Sequence, residues 1–277
     1  MYLPRIVCFF DILGFRDFVL THDLQDVIIS FNAVFNSVYS AHKRLMMRRI
    51  SASMNPETIQ TWIKENINDE QPSSRKVLED FERETKWGTL LLSDSVLLYS
   101  DEISEQPPLE PLTDAILISR IITMQFFRQR LPIRGAISFG EFYVNREENI
   151  YCGKGLVEAY ELAESQQWVG TVIAPSAEEY ATELMKNFQK RSDFSKIWSV
   201  RPGWDLIRWK IPLKSSSREG WVVNWASAWN AGGPVRDDLF DSRLTGDPQV
   251  DQKYLNTLRF LQEWPRKWGK FKSFNAG

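Results

Sequence analysis

The sequence is poor in the side chains from which many catalytic and metal centres are built. Its 277 residues include only two histidines, His22 and His42, and two cysteines, Cys8 and Cys152. A zinc site or a Ser-His-Asp triad is therefore not expected. Both cysteines stand in apolar, strand-like stretches, which favours small buried side chains in a reducing compartment over a disulfide. Chemistry in this chain must rest mainly on carboxylates and cations.

Long apolar runs and an excess of charge are also missing. No apolar stretch approaches the ~18 residues that span a bilayer, and the first residues lack the basic start and apolar run of a secretory signal. Thirty-four basic and 36 acidic residues give a formal charge of −2. The sequence therefore predicts a cytoplasmic protein with no membrane partner and no nucleic-acid partner.

The spacing of apolar residues predicts an α+β fold in the ferredoxin-like order β-α-β-β-α-β, with additions. The first strand is expected at residues 5–11, and a long amphipathic helix with His42 on its apolar stripe follows. The later predicted elements are a hairpin at 89–99, a helix at 113–130, a strand at 132–139, a hairpin at 140–151, a helix at 153–165, a strand at 168–174 and a helix at 176–190.

Two regions depart from this pattern. Residues 50–86 are rich in polar residues and are interrupted by Pro56 and Pro72, and we expect an inserted excursion of short helices and a mobile loop. Residues 191–277 are expected to form a Trp-rich extension packed on a domain of residues 1–190. Aromatic density of this kind favours core or subunit contact over a ligand cage. Eight of the 11 tryptophans lie in this extension: Trp198, Trp204, Trp209, Trp221, Trp225, Trp229, Trp264 and Trp268.

Two aspartates stand where this fold would bring strand ends together. Asp11 ends the first strand shortly before Gly14 and a helix, and Asp94 lies at the tip of the 89–99 hairpin. The first strand of a split βαβ fold lies beside this hairpin, so the two carboxylates should converge. Paired carboxylates repel unless they share a cation, and hard oxygen ligands favour Mg²⁺ or Mn²⁺. Two such ions, roughly 3.5–4 Å apart, could activate a hydroxyl nucleophile and neutralise a triphosphate.

An arginine lies inside the strand expected at 132–139. By alternation Arg134 shares a face of the sheet with Ala136 and Ser138. An arginine in mid-strand needs an anionic partner. A salt bridge to a surface carboxylate and a phosphate-facing role are both consistent with this position.

Four blocks follow one another along the chain: Phe10-Asp11-Ile12-Leu13-Gly14-Phe15, Leu92-Ser93-Asp94-Ser95-Val96, Arg134-Gly135-Ala136-Ile137 and Gly153-Lys154-Gly155-Leu156-Val157-Glu158-Ala159-Tyr160-Glu161-Leu162. In their order and spacing these blocks resemble the class III nucleotidyl cyclases, over roughly residues 4–175. The resemblance implies a class III cyclase catalytic fold for residues 1–190 and a homodimer with active sites at the subunit interface. The ribose 3′-hydroxyl of a nucleoside triphosphate would attack, and pyrophosphate would leave.

The resemblance also implies roles for individual residues. Asp11 and Asp94 would hold two divalent cations, Mn²⁺ or Mg²⁺, with help from the Ile12 carbonyl. The turn of Leu13, Gly14 and Phe15 would hold phosphates.

The chain differs from the purine cyclases at the positions that select the base and bind the ribose. Leu90 and Ile150 stand where those enzymes carry side chains that hydrogen-bond the purine. Val157 and Glu161 replace the usual Asn and Arg of the following helix. Arg134 and Lys154 thus become the candidates for charge stabilisation at the phosphates, Arg134 as a catalytic residue and Lys154 as a substrate-binding one.

The chain is more similar to the pyrimidine cyclases of the Pycsar anti-phage systems, and this likeness extends to Val223-Asn224-Trp225. It implies conversion of UTP to cyclic UMP, or of CTP to cyclic CMP, as a signal to a separate effector activated by the cyclic nucleotide. We favour UTP. Other interpretations are a purine cyclase, a degenerate cyclase-like module that binds nucleotide without turnover, and a structural domain in which Asp11 caps a helix and Asp94 shapes a turn.

Overall fold

Strands and helices alternate through a computed structural model of the chain, which describes residues 3–53, 82–83, 85–189, 205–226 and 247–268. The strands in these ranges are β1 Pro4–Ile12, β2 Trp87–Leu91, β3 Ser95–Ser100, β4 Ile133–Glu141, β5 Tyr143–Asn145, β6 Ile150–Cys152, β7 Gly170–Ile173, β8 Leu206–Pro212 and β9 Ser217–Val223. The helices are α1 Phe15–Thr21, α2 Leu24–Ser53, α3 Leu109–Arg128, α4 Lys154–Ser165, α5 Pro175–Gln189 and α6 Pro248–Trp268.

Seven of these strands form one mixed sheet in the order β2-β3-β1-β4-β7-β9-β8. Strand β1 lies between β3 and β4 and is antiparallel to both, whereas β4 and β7 are parallel. Strands β5 and β6 form a separate hairpin. The α+β prediction and the β-α-β-β-α-β order are confirmed.

The two faces of the sheet bury different sets of side chains because residues alternate along each strand. Ile6, Cys8 and Phe10 of β1 point into the larger core, which α2, α3 and α5 cover. Val7 and Phe9 point to the opposite face, which α4 and α6 cover in part. Alternation puts Asp11 on the same face as Val7 and Phe9.

Residues after 204 extend this sheet through β8 and β9. Trp209 of β8 packs on Trp168 and Phe260, with ring centroids 4.6 and 5.0 Å apart. Trp209 and Trp225 are buried, as the core interpretation of the tryptophans predicts. Trp198, Trp204 and Trp229 lie outside the described residues. The domain boundaries at 1–190 and 191–277 stay a prediction.

Some expectations were wrong or fall outside the described chain. Cys8 is buried, but Cys152 is exposed on β6 because this short hairpin stands apart from the main sheet. Helix α2 continues to Ser53, and most of the excursion predicted at 50–86 lies outside the described residues. None of the described helices is long and apolar enough to cross a bilayer.

Candidate active site

Asp11 occupies the end of β1, where two neighbouring strands meet it. Its Cα partners are Ser95 on β3 and Arg134 on β4. The side chain is 15% exposed, so the carboxylate sits at the rim of the sheet rather than in the core.

Asp94 lies beside Asp11 in the turn between β2 and β3. The main-chain N–H of Ile12 donates to the Asp94 carbonyl oxygen at 2.8 Å. The hydroxyls of Ser93 and Ser95 donate to Asp94 Oδ1 at 3.3 and 3.2 Å. These bonds fix the turn against the end of β1, so the structure brings the two predicted metal ligands together.

The carboxylate of Asp11 is short of positive charge. Burial raises its pKa, and the Arg134 guanidinium opposes this rise, both by its charge and by a hydrogen bond. The negative charges of Glu164 and Asp94 raise the pKa further. A second cation at this position would therefore be stabilised.

Arg134 has two carboxylate partners. Its Nε donates to Asp11 Oδ2 at 2.8 Å, its Nη1 donates to the Glu164 carbonyl oxygen at 2.8 Å, and its Nη2 donates to Glu164 Oε1. The side chain is only 8% exposed. In this structure Arg134 therefore orients Asp11, and its role at phosphates stays a prediction.

The turn predicted to hold phosphates follows directly. The Leu13 N–H donates to the Pro132 carbonyl oxygen at 2.8 Å. Gly14 has φ of 73°, and a Cβ built there would meet nothing within 4 Å. The first N–H groups of helix α1, which begins at Phe15, have no acceptor inside the helix. The turn is therefore open, with main-chain donors available.

Lys154 lies at the other end of the sheet from Asp11. Its Nζ is 3.3 Å from Glu141 Oε2, and its side chain is 88% exposed. Glu141 is the partner of Pro4 in the β1–β4 register, seven residues from Asp11, which corresponds to about 23 Å along the strand. Within one chain the structure does not bring Lys154 to Asp11 and Asp94.

Leu90 and Ile150, the positions aligned with purine selection, have different surroundings. Leu90 is paired with Leu97, packs against the cluster of Val7, Leu97, Tyr99 and Phe142, and lines a cavity of about 670 Å³ beside β2. Ile150 is 45% exposed.

A buried carboxylate and its half-exposed arginine partner form part of the wall of this cavity. Glu82 Oε1 accepts the Thr89 N–H at 2.6 Å, and Glu82 Oε2 accepts Arg146 Nη1 at 2.9 Å. Arg146 Nε donates to the Tyr99 hydroxyl at 3.1 Å. Because β2 is an edge strand, Glu82 satisfies an N–H that has no neighbouring strand to accept it.

Three charged residues near Asp11 were missed from the sequence: Glu164, Lys214 and Lys253. Glu164 binds Arg134, and its Oε2 lies 3.5 Å from Lys214 Nζ. Lys253 on α6 is close enough for the charges of Asp11 and Glu164 to act on its pKa. No motif marks these residues, because each contact joins elements far apart in the chain.

Asp11 and Asp94 fit a hard divalent cation only as part of a larger ligand set. In the described part of the chain, no group of three or more His, Cys, Asp or Glu side chains could hold a metal. The two aspartates offer carboxylate oxygens, and Mg²⁺ or Mn²⁺ bound by one or two carboxylates takes its other ligands from water or substrate phosphates. The residues present fit such ions when a triphosphate is bound.

Comparison with known proteins found similarity only to solved structures. No protein-family model matches the chain, and no curated protein matches it. The adenylyl cyclase CyaB from P. aeruginosa is 12% identical, with a TM-score of 0.45 over 80% of this chain and 94% of that chain. The dimeric guanylyl cyclase domain of the RhoGC fusion protein from the aquatic fungus Blastocladiella emersonii is 11% identical, with a TM-score of 0.46 over 80% and 94%.

The guanylyl cyclase Cya2 is also similar, at 9% identity and a TM-score of 0.37 over 80% of this chain and 93% of that one. All three of these neighbours are described as adenylyl or guanylyl cyclases. Their identities and TM-scores are too low to assign an activity, so the function must be argued from this chain's own residues.

Proposed function

We propose that this protein is a metal-dependent nucleotidyl cyclase that converts UTP to cyclic UMP and pyrophosphate. The convergence of Asp11 and Asp94, fixed by the hydrogen bond from Ile12 to Asp94, supports this proposal most directly. The open turn at Gly14 lies directly after this pair in the chain, where main-chain donors can reach phosphate oxygens.

In this reaction the 3′-oxygen attacks the α-phosphorus of the same nucleotide. A new bond forms between the 3′-oxygen and the α-phosphorus, and the bond from the α-phosphorus to the oxygen that bridges it to the β-phosphate breaks. Pyrophosphate leaves with that oxygen, and the proton of the 3′-hydroxyl passes to solvent. Asp11, Asp94 and the Ile12 carbonyl would hold two divalent cations, Mn²⁺ or Mg²⁺. When bound, these ions would lower the pKa of the hydroxyl and neutralise the leaving group.

The residues of the chain bind and orient the substrate. Gly14 and Phe15 would donate main-chain N–H groups to the phosphates, and Leu13, whose own N–H donates to the Pro132 carbonyl oxygen, would hold the turn in place for them. Arg134 orients Asp11 through its Nε and brings a positive charge to the triphosphate.

The position of Lys154 favours a homodimer. Lys154, whose ion-pair partner Glu141 lies about 23 Å along the sheet from Asp11, can serve the same reaction if the active site is shared between two subunits. Lys154 of one subunit would then reach the Asp11 site of the other. The exposed apolar side chains of Ile150, Val157 and Tyr160 support an interface on this face of the sheet.

Apolar residues at the base-selecting positions favour a pyrimidine. The side chains of Leu90 and Ile150 carry no group that could hydrogen-bond a purine edge. A cytidylate cyclase that makes cyclic CMP from CTP is the nearest alternative. The product would act as a second messenger in anti-phage defence, through a separate effector activated by the cyclic nucleotide.

A nucleotide-binding module without turnover is the second candidate. Val157, 54% exposed, and Glu161 occupy positions where the resembling enzymes carry groups that act on the ribose and the transition state. Retention of both Asp11 and Asp94 favours the enzyme, because a module without turnover needs neither metal ligand.

Incubation of the purified protein with each of the four ribonucleoside triphosphates and Mn²⁺, followed by separation of the products, tests this proposal. We expect cyclic UMP and pyrophosphate in equal amounts. Cyclic CMP as the main product would mean that the protein is a cytidylate cyclase and not a uridylate cyclase. Cyclic AMP or GMP would contradict the pyrimidine assignment, and no cyclic product would contradict the enzyme.

A further inference from the structure

Glu164 connects Arg134 to the C-terminal part of the chain. One carboxylate oxygen accepts Arg134 Nη2, and the other lies 3.5 Å from Lys214 Nζ. The Glu164 main-chain carbonyl also accepts Arg134 Nη1 at 2.8 Å. Glu164 is thus the anion that holds Arg134 in the orientation in which it contacts Asp11.

Hydrogen bonds attach the turn between β8 and β9 to the same end of α4. The Lys214 N–H donates to the Ser165 carbonyl oxygen at 2.8 Å, and the Gln167 N–H donates to the Pro212 carbonyl oxygen at 2.9 Å. The position of Lys214 near Glu164 is therefore fixed by the main chain.

Helix α6 is attached to the segment after α4 as well. Asn256 Nδ2 donates to the Gln167 carbonyl oxygen at 2.7 Å, and the Thr257 hydroxyl accepts the Val169 N–H at 2.8 Å. Lys253 lies one helical turn before Thr257, on the side that faces this junction.

Lys253 is a partly buried cation among other charges. Burial lowers its pKa, and the positive charges of Arg134 and Lys214 lower it further, while the charges of Asp11 and Glu164 raise it. Lys253 forms no ion pair with a residue in the part of the chain that the structure describes. A partly buried ammonium group without an ion pair favours an anionic ligand.

The charges around Asp11 leave room for such a ligand. Three cations, Arg134, Lys214 and Lys253, lie near the three carboxylates of Asp11, Asp94 and Glu164, so the charges balance before any ion is bound. Divalent cations on Asp11 and Asp94 would add further positive charge, and a triphosphate would balance it.

We propose that Lys253 binds the triphosphate at the Asp11 site, and that Glu164 is the positioning residue that holds Arg134 beside it. This inference rests on the proposed function for the identity of the ligand. It gives helix α6 of the C-terminal extension a direct part in substrate binding. The sequence blocks that resemble the known cyclases do not include this helix.

Calorimetric titration of inorganic tripolyphosphate in the presence of Mg²⁺ tests the proposal on the full chain. Lys253→Gln should weaken binding about fivefold, the effect of one unit charge a few ångströms from a phosphate in a partly solvated site. Glu164→Gln should tighten binding, because it removes a negative charge, and should lower kcat, because Arg134 is no longer held against Asp11. These opposite changes in affinity would not arise from a merely structural role.

Two control variants separate charge from packing. Lys253→Arg keeps the charge and should bind tripolyphosphate as the wild type does, and Lys210→Gln on β8 removes an exposed lysine elsewhere in the extension and should also bind normally. Unchanged affinity in Lys253→Gln, or equal weakening in Lys253→Arg, would overturn the proposal.

The proposed function can fail independently of this inference. If the wild type makes no cyclic nucleotide while Lys253→Gln still loses affinity for tripolyphosphate, the phosphate site stands and the cyclase proposal fails. If the wild type makes cyclic UMP and Lys253→Gln has an unchanged KM and unchanged affinity for tripolyphosphate, the cyclase proposal stands and the role of Lys253 fails.

Discussion

The main-chain N–H of Ile12 donates a hydrogen bond of 2.8 Å to the carbonyl oxygen of Asp94, and this bond joins the ends of two segments that are more than 80 residues apart in the chain. The residue before Ile12 is Asp11, so the bond sets the spacing of the two carboxylates through the main chain. Ligands positioned by the main chain of adjoining strands are held more rigidly than ligands on loops.

The charge of Asp11 should lower the stability of the metal-free protein. Its pKa is raised by burial, so the folded state binds a proton more readily than the unfolded state does. Stability is therefore lost as the pH rises from about 4 through the raised pKa, and the ionised carboxylate is unfavourable at pH 7. Asp11→Asn should raise the thermal midpoint in EDTA at pH 7.

Asp94→Asn is the matched control for this prediction, because Asp94 is exposed. Its thermal midpoint should stay close to that of the wild type. A lower midpoint in Asp11→Asn would mean that the ion pair with Arg134 outweighs the burial of the charge.

Replacement of Gly153, which precedes α4, should destabilise the protein more than replacement of Gly14, which precedes α1. A Cβ on Gly153 would lie 2.2 Å from the Glu141 carbonyl oxygen, where φ is 152°, whereas a Cβ on Gly14 meets nothing. Gly14→Ala should cost about 1–2 kcal/mol from its left-handed conformation alone. Gly153→Ala should cost more, because the main chain must also move. Equal free energies of unfolding in urea would contradict the close contact of Gly153 with the end of β4.

His42 should make the stability fall in mild acid. Burial lowers its pKa from 6.5 to about 4, and its ring nitrogens lie 3.0 and 2.9 Å from the Thr85 and Thr89 hydroxyls. In the unfolded state the His42 imidazole binds a proton below pH 6.5, whereas in the folded state it stays neutral until about pH 4. Stability is thus complete above pH 6.5 and declines below it, by at most about 1.4 kcal/mol per pH unit.

Urea unfolding of the wild type and His42→Gln at pH 7 and pH 5 measures this effect. We expect the loss between the two pH values to be smaller in the variant. An equal loss would show that His42 does not carry the proton linkage.

Helix α6 should contribute strongly to the stability of the whole fold. Phe260 is 1% exposed and packs on Trp168 and Trp209, so Phe260→Ala should destabilise the protein by about 3–5 kcal/mol. Leu255→Ala on the same helix is the control, because Leu255 is 51% exposed, and it should change the free energy of unfolding by less than about 0.5 kcal/mol. Similar effects of the two variants would contradict the packing of α6 in the core.

The sequence was sufficient to predict the elements that local patterns determine. Asp11 and Asp94 end apolar runs whose pairing follows from the order of the elements, so their convergence could be predicted. The contacts of Glu164 and Lys253 could not, because they depend on how α4 and α6 rotate against the sheet. The distance of Lys154 from Asp11 in one chain was also missed, since the strand register that separates them is not visible in a motif.

Steady-state formation of cyclic UMP from UTP with Mn²⁺ measures whether Asp11 and Asp94 together serve turnover. Asp11→Asn and Asp94→Asn should each reduce kcat by at least about 10³-fold while the proteins stay folded, and Asp26→Asn, an exposed carboxylate on α2, should retain wild-type activity. Wild-type turnover in either Asp11→Asn or Asp94→Asn would contradict the account.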